Sequence, residues 1–168
     1  MRNLLKVALT ILGVAVVALA LDMVLTTWVV RSRNPRALHL VKRVHRLTNP
    51  MLVRFAGQPG GNLATVHHVG RRTGMAYTTP VMAHQSHGDV IIPLPYGTDV
   101  DWLRNIQSAG HADVDLDGQR FTVDQPVVVD IDEVVGALPT TLASLVRSYR
   151  TRIALRLHVS TFSVPASA

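Results

Sequence analysis

The sequence predicts a mainly-β domain with short interleaved helices (α+β), preceded by one membrane-spanning helix. Three observations carry this. From Leu63 onward, short β-branched or alternating runs are separated by turn signals, the pattern of a small antiparallel barrel. Two of those turns have hairpin chemistry, Gly70-Arg71-Arg72-Thr73-Gly74 and Asp117-Gly118, because glycine tolerates the positive φ that tight hairpins need. Ahead of them, Val7 to Val30 is a 24-residue run with a single charge, Asp22, and so is long enough to cross a bilayer core.

The N-terminal run has a rival reading as a cleaved signal peptide, with Arg2 and Lys6 as a basic start and Ala18-Leu19-Ala20 as a small-x-small site. Apolar residues resume after Asp22, and Trp28 stands where an interfacial aromatic belongs, which favours an uncleaved anchor over residues 1–34. Six Lys/Arg between 31 and 46 then place the rest of the chain in the cytoplasm, giving a single-pass protein of the cell membrane. Residues 35–61 read as a basic helical linker. Leu38, Val41, Val44 and Leu47 share one face of a helix over 35–48, and Asn49-Pro50 breaks it. A short second helix from Met51 to Phe55 follows, ended by Gly57 and Pro59-Gly60-Gly61.

Residues 62–168 form the barrel. Leu63–Val69 and Tyr77–His84 are its first two strands, and Val90–Ile92 follows a turn at Ser86–Asp89. A helix over Asp99–Ala109 has an acidic start, puts Trp102, Leu103 and Ile106 inward, and stops at Gly110. Ala112–Leu116 and Arg120–Val123 make the Asp-Gly hairpin, Gln125-Pro126 interrupts before Val127–Val129, a helix covers Pro139–Arg150, and Ile153–Val164 is a last strand.

Composition excludes several classes of function. There is no cysteine, so disulfides, thiolate metal sites and a cysteine nucleophile are absent. The net charge of +6 would suit nucleic acid, but it is unevenly placed. Residues 1–56 hold nine Lys/Arg and one acid, whereas 57–168 hold eight Arg and ten Asp/Glu. Basic charge beside an apolar run and a slightly acidic domain is a membrane pattern, and nucleic acid is not expected as a partner. No Walker-type loop and no GxSxG occurs. His67 and His68, His84 and His87, and His111 invite a metal reading. Consecutive strand residues face opposite ways, however, and no ligand set of the usual kind emerges. Asp113, Asp115, Asp117 and Gly118 resemble a calcium loop without its closing glutamate.

The arginine turn is the strongest chemical signal. Two guanidiniums, a hydroxyl and sterically open amides at a bend suit a phosphate or carboxylate, since arginine forks onto oxyanions and free amides form a nest. The residues alone leave two readings open, an anchor for an anionic cofactor tail and a solvated basic hairpin tip.

Gly70–Gly74 followed by Thr79-Pro80-Val81, then Pro95-Tyr96-Gly97 and Asp101-Trp102-Leu103-Arg104-Asn105-Ile106, with Ala109–Asp113 running to Asp117-Gly118, resembles the deazaflavin-dependent nitroreductase family of actinobacteria. The resemblance covers about residues 50–130. It implies a split β-barrel of the FMN-binding type, coenzyme F-420 as cofactor (FMN is the alternative), and hydride transfer from the reduced coenzyme to quinones, nitro compounds or activated alkenes. It implies that Arg71, Arg72 and Thr73, with Gly74 closing the turn, hold the phosphate and polyglutamate tail. Thr78, Thr79 and Pro80 would line the path to the ring, and Leu94, Pro95, Tyr96 and Gly97 would approach the ring itself. Trp102 and Asn105 would seat the helix beside the cofactor, with Trp102 as core more than contact. Tyr149 is the one tyrosine available as proton donor in the C-terminal part. The function expected is thus a membrane-anchored F-420-dependent reductase acting on a lipophilic acceptor, as a homodimer. The alternative is a non-catalytic split barrel that binds a flavin-like molecule, lipid or quinone at the membrane.

Overall fold

A computed structural model describes residues 27–29, 32 and 52–163. The chain divides into two compact units, Met1–Lys42 and Arg43–Ala168. Of the first, the described residues are helical, and the Ser32 hydroxyl donates to the Val29 carbonyl at 2.9 Å.

The transmembrane expectation is corrected. Among the described residues no helix is long and apolar enough to cross a membrane. Among the described residues of the second unit the two longest helices have nine residues each, about 14 Å at 1.5 Å per residue, half of a hydrocarbon core of about 30 Å. The run 7–30 lies outside the described residues except for Thr27–Val29, as does the linker helix expected over 35–48. The transmembrane helix, the membrane-anchored reductase, the membrane as partner and the single-pass cell-membrane location therefore have no spanning element beneath them among the described residues and are withdrawn. The expectation of a lipophilic acceptor rested on that anchor as well as on the resemblance, and it loses the first of these supports.

The described residues of the second unit form seven antiparallel strands: β1 (Leu63–Val69), β2 (Ala76–Met82), β3 (His84–Ser86), β4 (Asp89–Pro93), β5 (His111–Leu116), β6 (Gln119–Asp130) and β7 (Ile153–Ser163). Their order in the sheet is β2-β1-β5-β6-β7-β4-β3. The two edge strands are consecutive in the chain, with Ala83 alone between them. Laid flat, six strand spacings of about 4.8 Å would set those edges roughly 29 Å apart, whereas two virtual bonds span at most about 7.6 Å. The sheet must curl until its edges meet, and β2 does approach β4. Ala83 is fully buried at that seam, where its N–H donates to the Asn62 carbonyl at 2.8 Å. This is the curled, split barrel that the resemblance implies.

Period-two alternation fills the inside with Ala64 and Val66, Val90 and Ile92, Val114 and Leu116, Phe121 and Val123, and Leu155 and Leu157. Helix α1 (Asp101–Ala109) adds Leu103 and Ile106 to the same cluster, and Trp102 packs against it half-buried. Ile91, Val129 and Ala154 face the other way. There they meet α2 (Ile131–Val134) and α3 (Thr140–Ser148) through Val134, Leu142, Ala143 and Val146.

Several limits differ from expectation. The strand expected over Tyr77–His84 ends at Met82, and His84 already belongs to β3, because the chain passes from one sheet edge to the other at Ala83. Gln125-Pro126 does not end a strand. Gln125 takes φ +50° and the register with β7 slips between Asp124 and Val127, so a bulge absorbs the proline and β6 continues. Helix α2 went unread although its signature is present. Asp130 caps it, accepting from Asp132 N at 3.0 Å, and Glu133 reaches back to Asp130 N at 3.3 Å. Asp130→Ala is expected to cost about 0.5–2 kcal/mol of stability, read as a lowered urea midpoint.

Candidate functional site

The arginine turn joins β1 to β2 with register Val69↔Ala76. Gly70 is required by close approach, since a Cβ there would stand 2.5 Å from Thr73 Oγ1 and 2.7 Å from Tyr77 Cε2. Gly74 closes the bend at φ +66°. The open amide nest expected here is not what the turn offers. Gly70 N donates to Met75 O at 2.8 Å, Thr73 N and Gly74 N to Gly70 O at 3.2 and 2.8 Å, and Met75 N to Thr73 Oγ1 at 3.3 Å.

The two arginines have different roles. Arg71 is tied to α1: its Nη2 pairs with Asp101 Oδ1 at 3.1 Å, and its Nη1 and backbone N donate to Asn105 Oδ1 at 2.9 and 3.2 Å. Arg72 is exposed and makes no hydrogen bond or ion pair among the described residues. One guanidinium builds the turn, and the other is offered to solvent.

Asn105 is the hub of a polar chain inside the barrel. It is 5% exposed, accepts from Arg71 with Oδ1, and its Nδ2 lies 3.1 Å from His68 Nδ1. An amide nitrogen can only donate, so His68 Nδ1 accepts and the ring proton sits on Nε2. From there it donates to Thr79 Oγ1 at 3.0 Å. Burial, helped by the neighbouring His67, pushes the His68 pKa below its ordinary 6.5, consistent with the neutral ring this chain requires. The unfolded chain therefore takes up that proton first as pH falls. The contribution of His68 is complete above pH 6.5 and is lost as pH drops toward and through the lower folded value. Urea midpoints at pH 7.5 and 5.5 are expected to differ more for the native chain than for His68→Gln.

His67 faces the opposite way, with Nε2 at 2.7 Å from Asp115 Oδ2, while Arg120 grips both Asp115 oxygens at 2.6 and 2.8 Å. Burial pushes the Asp115 carboxyl up, but hydrogen bonds from Arg120 and His67 outweigh it and hold the group below its usual value. Among the described residues no group of three or more metal-binding side chains converges.

An open cleft of about 280 Å³ adjoins the base of the turn, lined by His67, His68, Val69, Ala76, Tyr77, Thr78, Ala109, His111, Ala112 and Asp113. Among the sequence-derived candidates Thr78 lines it, whereas Thr79 turns inward to His68 and Pro80 pairs across to Thr65. Leu94, Pro95, Tyr96 and Gly97 sit at the exit of β4 beside the start of β7. There the Leu94 side chain is buried, and Gly97, at φ +73°, donates to Leu94 O at 3.1 Å. Tyr149 ends α3, which packs on the outer cluster, and it does not line the cleft. Tyr77 and His68 were not assigned a role by the sequence. The signal was an aromatic and a histidine on the two arms of one hairpin, equidistant from its tip.

No protein-family model matches the chain, and neither does any curated protein. Among solved structures, 64% of the chain is similar to 91% of an F-420 reductase at 14% identity and a TM-score of 0.40. Similar coverage links it to HutZ, the heme storage protein of Vibrio cholerae, at 12% identity over 62% of this chain and 87% of that one, TM-score 0.46. General Stress Protein 26 of Bacillus anthracis matches at 11% identity over 61% and 83%, TM-score 0.44. These proteins carry different functions, and likeness this distant transfers none of them.

Proposed function

We propose that this chain is a split-barrel reductase that binds a redox cofactor of the flavin class through an anionic tail, with F-420 first and FMN as the alternative. The observation that supports it is the arginine turn. Arg71 fastens the turn to α1, and Arg72 stands exposed next to the Thr73 hydroxyl. The turn backbone that carries Arg72 is fixed through Arg71, so only the Arg72 side chain has to be ordered on binding a phosphate or carboxylate, and such charge-assisted contacts are the stronger hydrogen bonds. Arg72 and Thr73 would hold the tail, and Thr78 lies on the adjoining cleft wall. When bound, a cofactor of this class supplies hydride transfer. The chain's own part is to grip the tail, align the ring and keep the turn rigid. Tyr149 is given no step.

The test is a fluorescence-quenching titration of the full chain with oxidised F-420 and with FMN, followed by loss of reduced F-420 absorbance with an artificial electron acceptor. Micromolar binding of F-420 with turnover is the expected result. Binding of FMN alone would move the cofactor to the alternative, binding without turnover would remove the reductase, and binding of neither would overturn the reading.

A further inference from the structure

Tyr77 is braced on one side and open on the other. Its ring stacks on His68 with centroids 5.8 Å apart and 20° between the planes. His68 is itself fixed by Asn105 at Nδ1 and Thr79 at Nε2. The edge of the tyrosine meets Gly70, and its hydroxyl lies 3.3 Å from Thr73 Oγ1. Yet Tyr77 is 42% exposed. So much bracing around a side chain that remains open is more than the core needs from it.

Beside this ring the sheet forks. β1 and β5 pair only between Thr65↔Asp115 and His67↔Asp113, although β1 continues to Val69 and β5 already begins at His111. The cleft lies at that fork, and Ala76, Ala109 and Ala112 keep its walls low. Its size is just below the roughly 300–1,000 Å³ usual for ligand sites, room for a flat ring whose tail runs out of it.

We propose that the fork between β1 and β5 receives the planar ring of a heteroaromatic cofactor, and that Tyr77, backed by His68, is the face on which that ring stacks. This rests on the cofactor reading above and adds to it where the ring lies: at the arginine turn, not at the β4 exit. An aromatic ring with two torsions already fixed by its neighbours gives contact area at little entropic cost. Tail and ring would then be held by one hairpin, Arg72 at its tip and Tyr77 on its second arm.

The experiment titrates the full chain and four variants with FMN, oxidised F-420 and lumiflavin, the last being a flavin ring without a phosphate. Tyr77→Ala is expected to weaken binding of all three about 5- to 100-fold, the range of a lost aromatic stack. Tyr77→Phe and Tyr77→Trp, which keep a stacking face, are expected to stay within about threefold of the native chain. Arg72→Ala is expected to weaken FMN and F-420 but not lumiflavin. If Tyr77→Ala leaves affinities unchanged while Arg72→Ala lowers those of FMN and F-420, the ring lies elsewhere and the cofactor reading survives. If Phe and Trp lose as much as Ala, stacking is refuted. If the native chain binds none of the probes, both proposals fall together.

Discussion

Asn105→Leu will lower the stability of the barrel by about 2–5 kcal/mol, although the side chains branch alike and leucine is the better helix former. Asn105 accepts two bonds from Arg71 and donates one to His68. Leucine leaves the Arg71 N–H and the His68 Nδ1 without partners in a region where His68 is 8% exposed, and each buried orphan costs about 1–3 kcal/mol. The loss should appear as a lower urea midpoint with an unchanged slope. Asn105→Asp separates the two halves of the network. Its carboxylate still accepts from Arg71 but cannot donate to His68, and a negative charge beside the imidazole favours the protonated ring. Its deficit relative to the native chain should therefore shrink between pH 7.5 and 5.5. Equal midpoints for Asn105→Leu and the native chain would remove Asn105 as the hub.

The strand and turn chemistry of this domain was readable because it is local. Leu63–Val69 is found with its expected limits, since alternation and the flanking glycines bound it on both sides. The helix over Asp101–Ala109 loses two residues at its start, as Val100 is its N-cap and stays extended at φ −132°. What was not readable depends on contacts distant in sequence. Both arginines of the turn look equivalent as residues. Only α1, 30 and 34 positions further along at Asp101 and Asn105, takes one and leaves the other. Most of the amides expected to be open are engaged: those of Gly70, Thr73, Gly74 and Met75 within the turn, where Thr73 folds back onto it, and that of Arg71 by Asn105 of α1. His67 and His68 do face opposite ways, as strand geometry requires, but their partners come from β5 and α1 and no spacing rule points to them. The curl of the sheet is likewise a topological fact. A single buried alanine between two edge strands forces it, and that needs the strand order, which the sequence does not display.

Arg72→Ala is expected to weaken binding of an anionic flavin-class cofactor by about 1.5–3 kcal/mol, roughly 10- to 150-fold, with no measurable change in urea midpoint. The structure gives both halves of that statement. Arg72 is exposed and engages no described residue, so its loss removes nothing from the fold. A hydrogen bond to a charged oxygen, by contrast, is among the stronger polar contacts in a partly desolvated site. Arg71→Ala should behave differently. Its guanidinium is compensated by Asp101 and shared with Asn105, so removing it frees the first turn of α1 and loosens the tip that presents Arg72. Stability and affinity should then fall together for Arg71→Ala, and affinity alone for Arg72→Ala. Raising the salt concentration sharpens the contrast, because the exposed Arg72 contact is screened and the native affinity should fall toward that of the variant. Affinity for both F-420 and FMN that does not change on replacing Arg72, at low salt and at high, would leave the turn as a solvated hairpin tip and take the cofactor tail away from it.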